Sequence, residues 1–200
     1  MARVWQMKRN GLYRVKLDQG QIDTAYRVAW RRQTKAVLAR RKTRGGLNSD
    51  FSNNTKRDVT IHQLGALTEI AVATLDGHPE FVPSEGVFKA LDYKYVGVRG
   101  RHGCRRMLDL IVKPKDNPHW PLVLMWARNW EWTQFECRGW FRTWRAQNGD
   151  YPLDDKGNKG APVYWVPYQK LNRLELPIDW DLMKQCDCAE CLPAALTMPA

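Results

Sequence analysis

An α+β fold is predicted by two patterns in the sequence. One strongly apolar helix lies before the middle of the chain, and several β-like runs follow it with no long helical stretch between them. The helix is Thr60 to Gly77, TIHQLGALTEIAVATLDG, where Leu64, Ala66, Leu67, Ile70, Ala71, Val72, Ala73 and Leu75 cover most of the circumference. Such a helix is buried. The runs begin with DYKYVGVR (Asp92 to Arg99) and LDLIVK (Leu108 to Lys113). LVLMWA (Leu122 to Ala127), QFECRGWFRTW (Gln134 to Trp144) and VYWVP (Val163 to Pro167) follow. They are rich in β-branched and aromatic residues and are separated by Gly, Pro and Asn. Consecutive strands of this kind predict a mostly meandering sheet.

Val4 to Leu17 alternates loosely around Asn10-Gly11, a pair suited to a tight hairpin turn. Ile22 to Arg44 predicts an amphipathic helix with an apolar face (Ile22, Tyr26, Ala29, Trp30, Ala36, Val37, Leu38) and a basic one. Residues 45–57, GGLNSDFSNNTKR, are polar and predict a loop. For the central helix, Thr60 and Gln63 have capping-box spacing, and Gly77 stands where a left-handed C-terminal cap is needed. Gly100 to Arg106 predicts a basic turn, Gly149 to Pro162 a flexible mixed-charge loop, and Gln169 to Leu174 a turn of helix. This divides the chain into a basic N-terminal hairpin and helix (1–57), a core (58–176) and a Cys-containing tail (177–200).

The 200 residues suit one domain, and the net charge of +11 is unevenly placed. Residues 1–57 hold fifteen Lys and Arg against three acids, whereas 58–200 hold seventeen against eighteen. A basic segment with interleaved aromatics (Trp5, Tyr13, Tyr26, Trp30) favours a polyanion, most simply nucleic acid. Arg27, Arg31, Arg32, Lys35, Arg40 and Arg41 would supply the phosphate contacts, and Arg101, Arg105 and Arg106 a second group. A solvated basic face is the alternative. There is no run of eighteen apolar residues, and the first seventeen lack a signal-peptide core. A cytoplasmic protein without membrane contact is expected.

Glu69 is the sole carboxylate in the apolar helix before Asp76. It cannot stay ionised and unpaired there. It either pairs with an arginine or points into a cleft and helps to hold a metal. Near the end, Cys186, Cys188 and Cys191 form C-x-C-x-x-C, three thiolates that could bind Zn²⁺ with a fourth ligand such as Cys104, Cys137 or His102. A loose tail of reduced thiols is the alternative.

Glu69 on a helix, then Asp92 at a strand edge, then Gly97-Val98-Arg99 resembles the PD-(D/E)XK nuclease superfamily, the restriction-endonuclease-like fold. Residues 60–170 look like a family of small phage-encoded proteins of that fold. The shared features are G-A-L-x-E-I-A-V-A (Gly65 to Ala73), Asp92 with V-R at Val98-Arg99 and L-I-V-x-P-K-D (Leu110 to Asp116). They continue with R-G-W (Arg138 to Trp140) and Y-x-V-P (Tyr164 to Pro167). The resemblance implies a restriction-endonuclease-like core, Mg²⁺ or Mn²⁺ held by strand acids, a lysine that polarises the attacking water, and the host cytoplasm as location. This chain departs from the pattern, because Gly97 and Arg99 stand where the family has Glu and Lys. Either the acid has moved, with Asp109 as metal ligand beside Glu69 and Asp92 and Lys113 as the lysine, or catalysis is lost. The expected function is therefore a nucleic-acid-binding protein, first as a Mg-dependent endonuclease acting on DNA. The alternatives are an inactive relative that binds nucleic acid, or a factor that binds a host protein through its tryptophans. Trp130 and Trp132 are the candidates for exposed stacking.

Overall fold

The computed structural model describes residues 1–7, 11–38, 51–86, 92–102, 109–129, 131–158 and 161–184, with backbone only for 37–38, 51–58, 156–158 and 184. The protein is α+β, with two sheets and the two long helices packed on one side of the larger sheet. Strands β1 (Arg3–Gln6) and β2 (Tyr13–Lys16) form the expected hairpin, followed by α1 (Gln19–Leu38) and α2 (Phe51–Leu75). Then come β3 (Gly97–His102), β4 (Leu110–Val112), β5 (Pro121–Ala127) and β6 (Gln134–Arg142). A helical turn α3 (Thr143–Arg145), β7 (Leu153–Asn158), β8 (Ala161–Val166) and α4 (Trp180–Lys184) complete the order.

The larger sheet runs β1-β2-β6-β5-β3 and the smaller β4-β8-β7. The sheet is mixed rather than a meander: β3 pairs with β5 in parallel, Gly97 opposite Leu122 and His102 opposite Ala127. A parallel pair needs a crossover. Here the chain between β3 and β5 includes β4, which pairs with β8 in the other sheet. Within residues 1–57, β2 pairs directly with β6 and α1 lies along α2. The start of the expected tail is also core: Ile178 and Met183 are buried, and Trp180 Nε1 donates to Asp76 at 2.8 Å.

Two cores result. Ala25, Val28, Leu67, Ile70 and Val72 of the helices pack on Val15, Val98, Val123, Met125, Phe135 and Cys137 of the sheet. On the opposite face Leu122, Leu124 and Phe141 pack on Leu110, Val112 and Val166 of the smaller sheet. β5 is buried throughout because it has a core on each side.

Helix boundaries differ instructively from the expectation. α1 begins earlier, at a reciprocal capping box: Gln21 N–H donates to Asp18 Oδ1 and Asp18 N–H to Gln21 Oε1, both at 3.1 Å. α2 starts at Phe51, so residues 51–57 are helix and not loop, and Thr60 is interior to the helix rather than its cap. Gly77 (φ +83°) does end α2 as expected, with His78 N–H on Ala73 O and Gly77 N–H on Thr74 O. The expected loop after Gly149 contains β7, which pairs with β8. β6 carries an irregularity opposite Leu124/Met125. There Gly139 has φ +127°, and a Cβ on it would stand 2.2 Å from Asn172 O, so no other residue fits.

Candidate functional site

Asp92 and Asp116 meet beside the start of β3, an edge strand. Asp92 precedes a small bridge between Tyr93 and Val96, and its Oδ2 accepts the Val98 N–H at 2.7 Å. Arg99 lies on the face shared with Leu124, away from the helices. Its Nη2 donates to Asp116 Oδ1 at 2.9 Å, and its Nη1 stands 3.8 Å from Asp92 Oδ2. The guanidinium therefore joins two carboxylates. Asp116 is also a turn residue, since its Oδ2 accepts the Lys113 N–H at 2.9 Å. Its pairing with Arg99 depends on a contact seventeen residues away, for which the local sequence carries no signal.

Gly97 is packed rather than open. A Cβ there would meet Leu122 Cδ2 at 2.7 Å, Asp92 Oδ2 at 3.7 Å and Arg99 Nη1 at 3.9 Å. The place where a side chain at 97 would begin thus borders both the acid and the guanidinium.

Glu69 takes the first of its two expected options. Both of its oxygens accept from Arg32, Nη1 to Oε1 at 2.8 Å and Nη2 to Oε2 at 2.9 Å. Arg32 Nε also donates to Ser84 O at 2.8 Å. Arg32 therefore turns inward from the helix face assigned to phosphate. Burial pushes the Glu69 carboxyl up to about 7, outweighing the hydrogen bonds and charge of Arg32, while Asp92 adds a smaller push in the same direction. Asp92 is also raised by burial, with the Val98 N–H, Arg99 and Arg32 opposing and Asp116 assisting. Asp92 thus lies within electrostatic reach of both Glu69 and Asp116.

A pH dependence follows. Glu69 is easier to protonate folded than unfolded, so folding takes up a proton between about 4.5 and 7. Stability from this group is fully present below pH 4.5 and falls as pH rises to 7, by roughly 3 kcal/mol, then stays level. Glu69→Gln keeps an acceptor for Arg32 and removes the proton. Unfolding midpoints measured from pH 5 to 8 should lose this part of their slope in that variant, and an unchanged slope would refute the assignment.

The other expected ligands lie apart. Asp109 sits before β4, where its Oδ1 receives the Tyr168 N–H at 3.4 Å, and its charge acts on Arg101. Asp109 and Lys113 belong to the smaller sheet's segment, because β4 pairs with β8. They do not form a replacement pair on the β3 face. The carboxylates do not fit Mg²⁺ or Mn²⁺ as they stand: Glu69 is filled by Arg32, Asp116 by Arg99 and the Lys113 N–H, and Gly97 brings no oxygen. Among the described residues no group of three or more His, Cys, Asp or Glu is arranged to hold a metal. Cys137 is buried in the helix-side core, and burial pushes its thiol up to about 12. Cys104, Cys186, Cys188, Cys191, Arg40, Arg41, Arg105, Arg106, Trp130 and the Asn10 turn lie outside the described residues.

On α1, Arg27, Arg31 and Lys35 are exposed. Arg31 and Lys35 both pair with Glu85, which offsets part of that face's charge. Trp132 is half-buried against the core, 5.4 Å from the exposed His102 ring. Among the described residues no helix is long and apolar enough to cross a membrane. No family model matches the chain, and neither a curated protein nor a solved structure does.

Proposed function

We propose that the chain is a nucleic-acid-binding protein on a restriction-endonuclease-like frame, with Arg99 standing in the acidic site as a permanent cation. The observation that carries this reading is the Arg99 guanidinium placed between Asp92 and Asp116, beside a glycine where the nuclease pattern has its second acid. A guanidinium stays charged at any physiological pH, so it offsets one of the two acids' charges and can face a phosphate, but it cannot accept a proton from water. The helix carboxylate is likewise satisfied by Arg32. The excess of basic over acidic residues supplies the long-range attraction for a polyanion.

The test combines binding and cleavage. The full chain is mixed with single- and double-stranded DNA and RNA in Mg²⁺ or Mn²⁺, beside Asp92→Asn. Binding should weaken steeply with salt, each neutralised phosphate adding about 0.7 to 0.9 to the log–log slope. No strand should be cut by either protein. Metal-dependent cutting that disappears in Asp92→Asn would overturn the proposal in favour of a nuclease. Absence of salt-dependent binding to every nucleic acid would overturn it in favour of a protein partner.

A further inference from the structure

The helix-free face of the larger sheet carries a row of side chains that crosses all five strands. Trp5 is opposite Arg14, Arg14 opposite Glu136, Glu136 opposite Trp126, and Trp126 opposite Arg101. Residues directly opposed in a sheet project from the same side. Since Leu122 and Leu124 of β5 face the smaller sheet, Trp126 and the row share that side.

The row is built around one buried carboxylate. Glu136 is 1% exposed and is held by Arg14 Nε and Arg138 Nη2, each at 2.9 Å, with Arg128 Nε at 3.9 Å. Arg128 and Arg138 both also lie over the Trp126 ring, at 4.4 and 4.5 Å from its centre. Arg138 reaches Tyr168, and Arg101 lies over Trp165, so the smaller sheet's segment borders the row. One carboxylate fixes three guanidiniums while neutralising one of them. The next pair along the hairpin, Arg3 opposite Lys16, adds two exposed cations. These two line an open depression of about 480 Å³ with Val4 and Trp5. Asp109 offsets part of the charge near Arg101.

We infer that this row is the path of a single-stranded nucleic acid. The inference rests on the nucleic-acid reading above and names its surface and strandedness. Strands lie about 4.8 Å apart, so the row spans roughly 19 Å, enough for a short extended stretch of backbone. Arg14, Arg128 and Arg138 offer guanidiniums to phosphates, and their positions are already set by Glu136, so little entropy is lost on binding. Trp5, 37% exposed at the sheet edge, offers a plane on which an unpaired base stacks. A duplex keeps its bases stacked on one another and gains nothing from that ring. The row also leads to the candidate site, because Arg101 and Arg99 are neighbours on the same face of β3.

The test uses the full chain and a fluorescent oligo-dT of twenty nucleotides, with a duplex of equal length and matching RNA forms. Three exposed cations are removed together in R3S/K16S/R128S, and the stacking plane in W5A. None of these is Glu136's 2.9 Å partner, so folding is preserved and is checked by circular dichroism. The triple variant should bind oligo-dT about tenfold or more weaker, with the salt slope reduced by about 2. W5A should lose about tenfold. R27S/R31S/K35S removes the same charge from α1 and should lose less. Loss confined to the α1 variant, or wild-type binding tighter to duplex than to single strands, would overturn the inference while leaving nucleic-acid binding intact. Failure of the wild type to bind any nucleic acid would instead remove the reading on which the inference rests.

Discussion

Arg32→Ala is expected to lower folding stability by about 3–5 kcal/mol at and above pH 8, the cost of leaving a buried charge without its partner. The side chains of the pair are 12% and 5% exposed, and Glu69 is surrounded by the apolar residues of α2. No water replaces the two hydrogen bonds at such a position without opening the α1–α2 contact. As pH falls the loss should shrink, because Glu69 escapes the penalty by taking up a proton, and without Arg32 it does so at a higher pH than in the wild type. Part of the loss is independent of pH, since Arg32 also fastens Ser84 to α1. The double variant R32M/E69L should recover most of the stability, as apolar replacements of buried ion pairs commonly do. Urea unfolding at pH 6 and 8 measures all three proteins. A loss for Arg32→Ala under about 1 kcal/mol at pH 8 would mean that the pair is not what holds α1 on α2. If R32M/E69L also binds nucleic acid as the wild type does, Glu69 belongs to the scaffold of this protein and not to its working surface.

That pair shows where the sequence was legible and where it was not. The apolar character of α2 follows from composition alone, because residues apolar on every side have nowhere to go but inside. Its carboxylate had to be satisfied, and arginine was one of the two ways open. Nothing local selects Arg32 as the partner, since a basic residue on an amphipathic helix has the same appearance whether it faces solvent or an acid thirty-seven residues on. The start of α2 was hidden because FSNNTKR has the composition of a loop, and a second capping-box spacing at Thr60 competed for it. The box that is used, Asp18 with Gln21, has the same spacing but stands ahead of Ile22, the first apolar residue of the helix. β5 was legible from its unbroken apolar run. Its parallel partner was not, since alternation in a strand specifies faces and not neighbours. β7 is not legible because LDDKGN is polar and edges a small sheet. At the candidate site, the missing acid at Gly97 is written in the sequence. The bridging of Asp92 and Asp116 by Arg99 is visible only when β3 and the turn after β4 are brought together.

Glu136→Gln is the second change with a large expected effect, again about 3–5 kcal/mol of stability. The carboxylate is buried in β6, and its removal takes from Arg14, Arg128 and Arg138 the negative charge they share. Arg138 suffers most, because its side chain is only 10% exposed and water cannot solvate it in place. The Trp126 ring remains beneath two of the guanidiniums, but a contact of that kind is worth about 0.5–2 kcal/mol and cannot replace a buried ion pair. The repulsion left behind has a consequence for binding. An anion that settles among these arginines stabilises the folded state in proportion to its affinity for it. In the wild type Glu136 occupies the centre of the cluster, whereas in Glu136→Gln a phosphate or sulfate meets the full charge of three arginines. Thermal unfolding in increasing oligo-dT or sulfate should therefore raise the variant's midpoint more steeply than the wild type's. Equal slopes would mean that the strands, and not Glu136, hold the guanidiniums in their row. The stability loss would then be a matter of packing, and the cluster would lose its claim to be pre-ordered for phosphate.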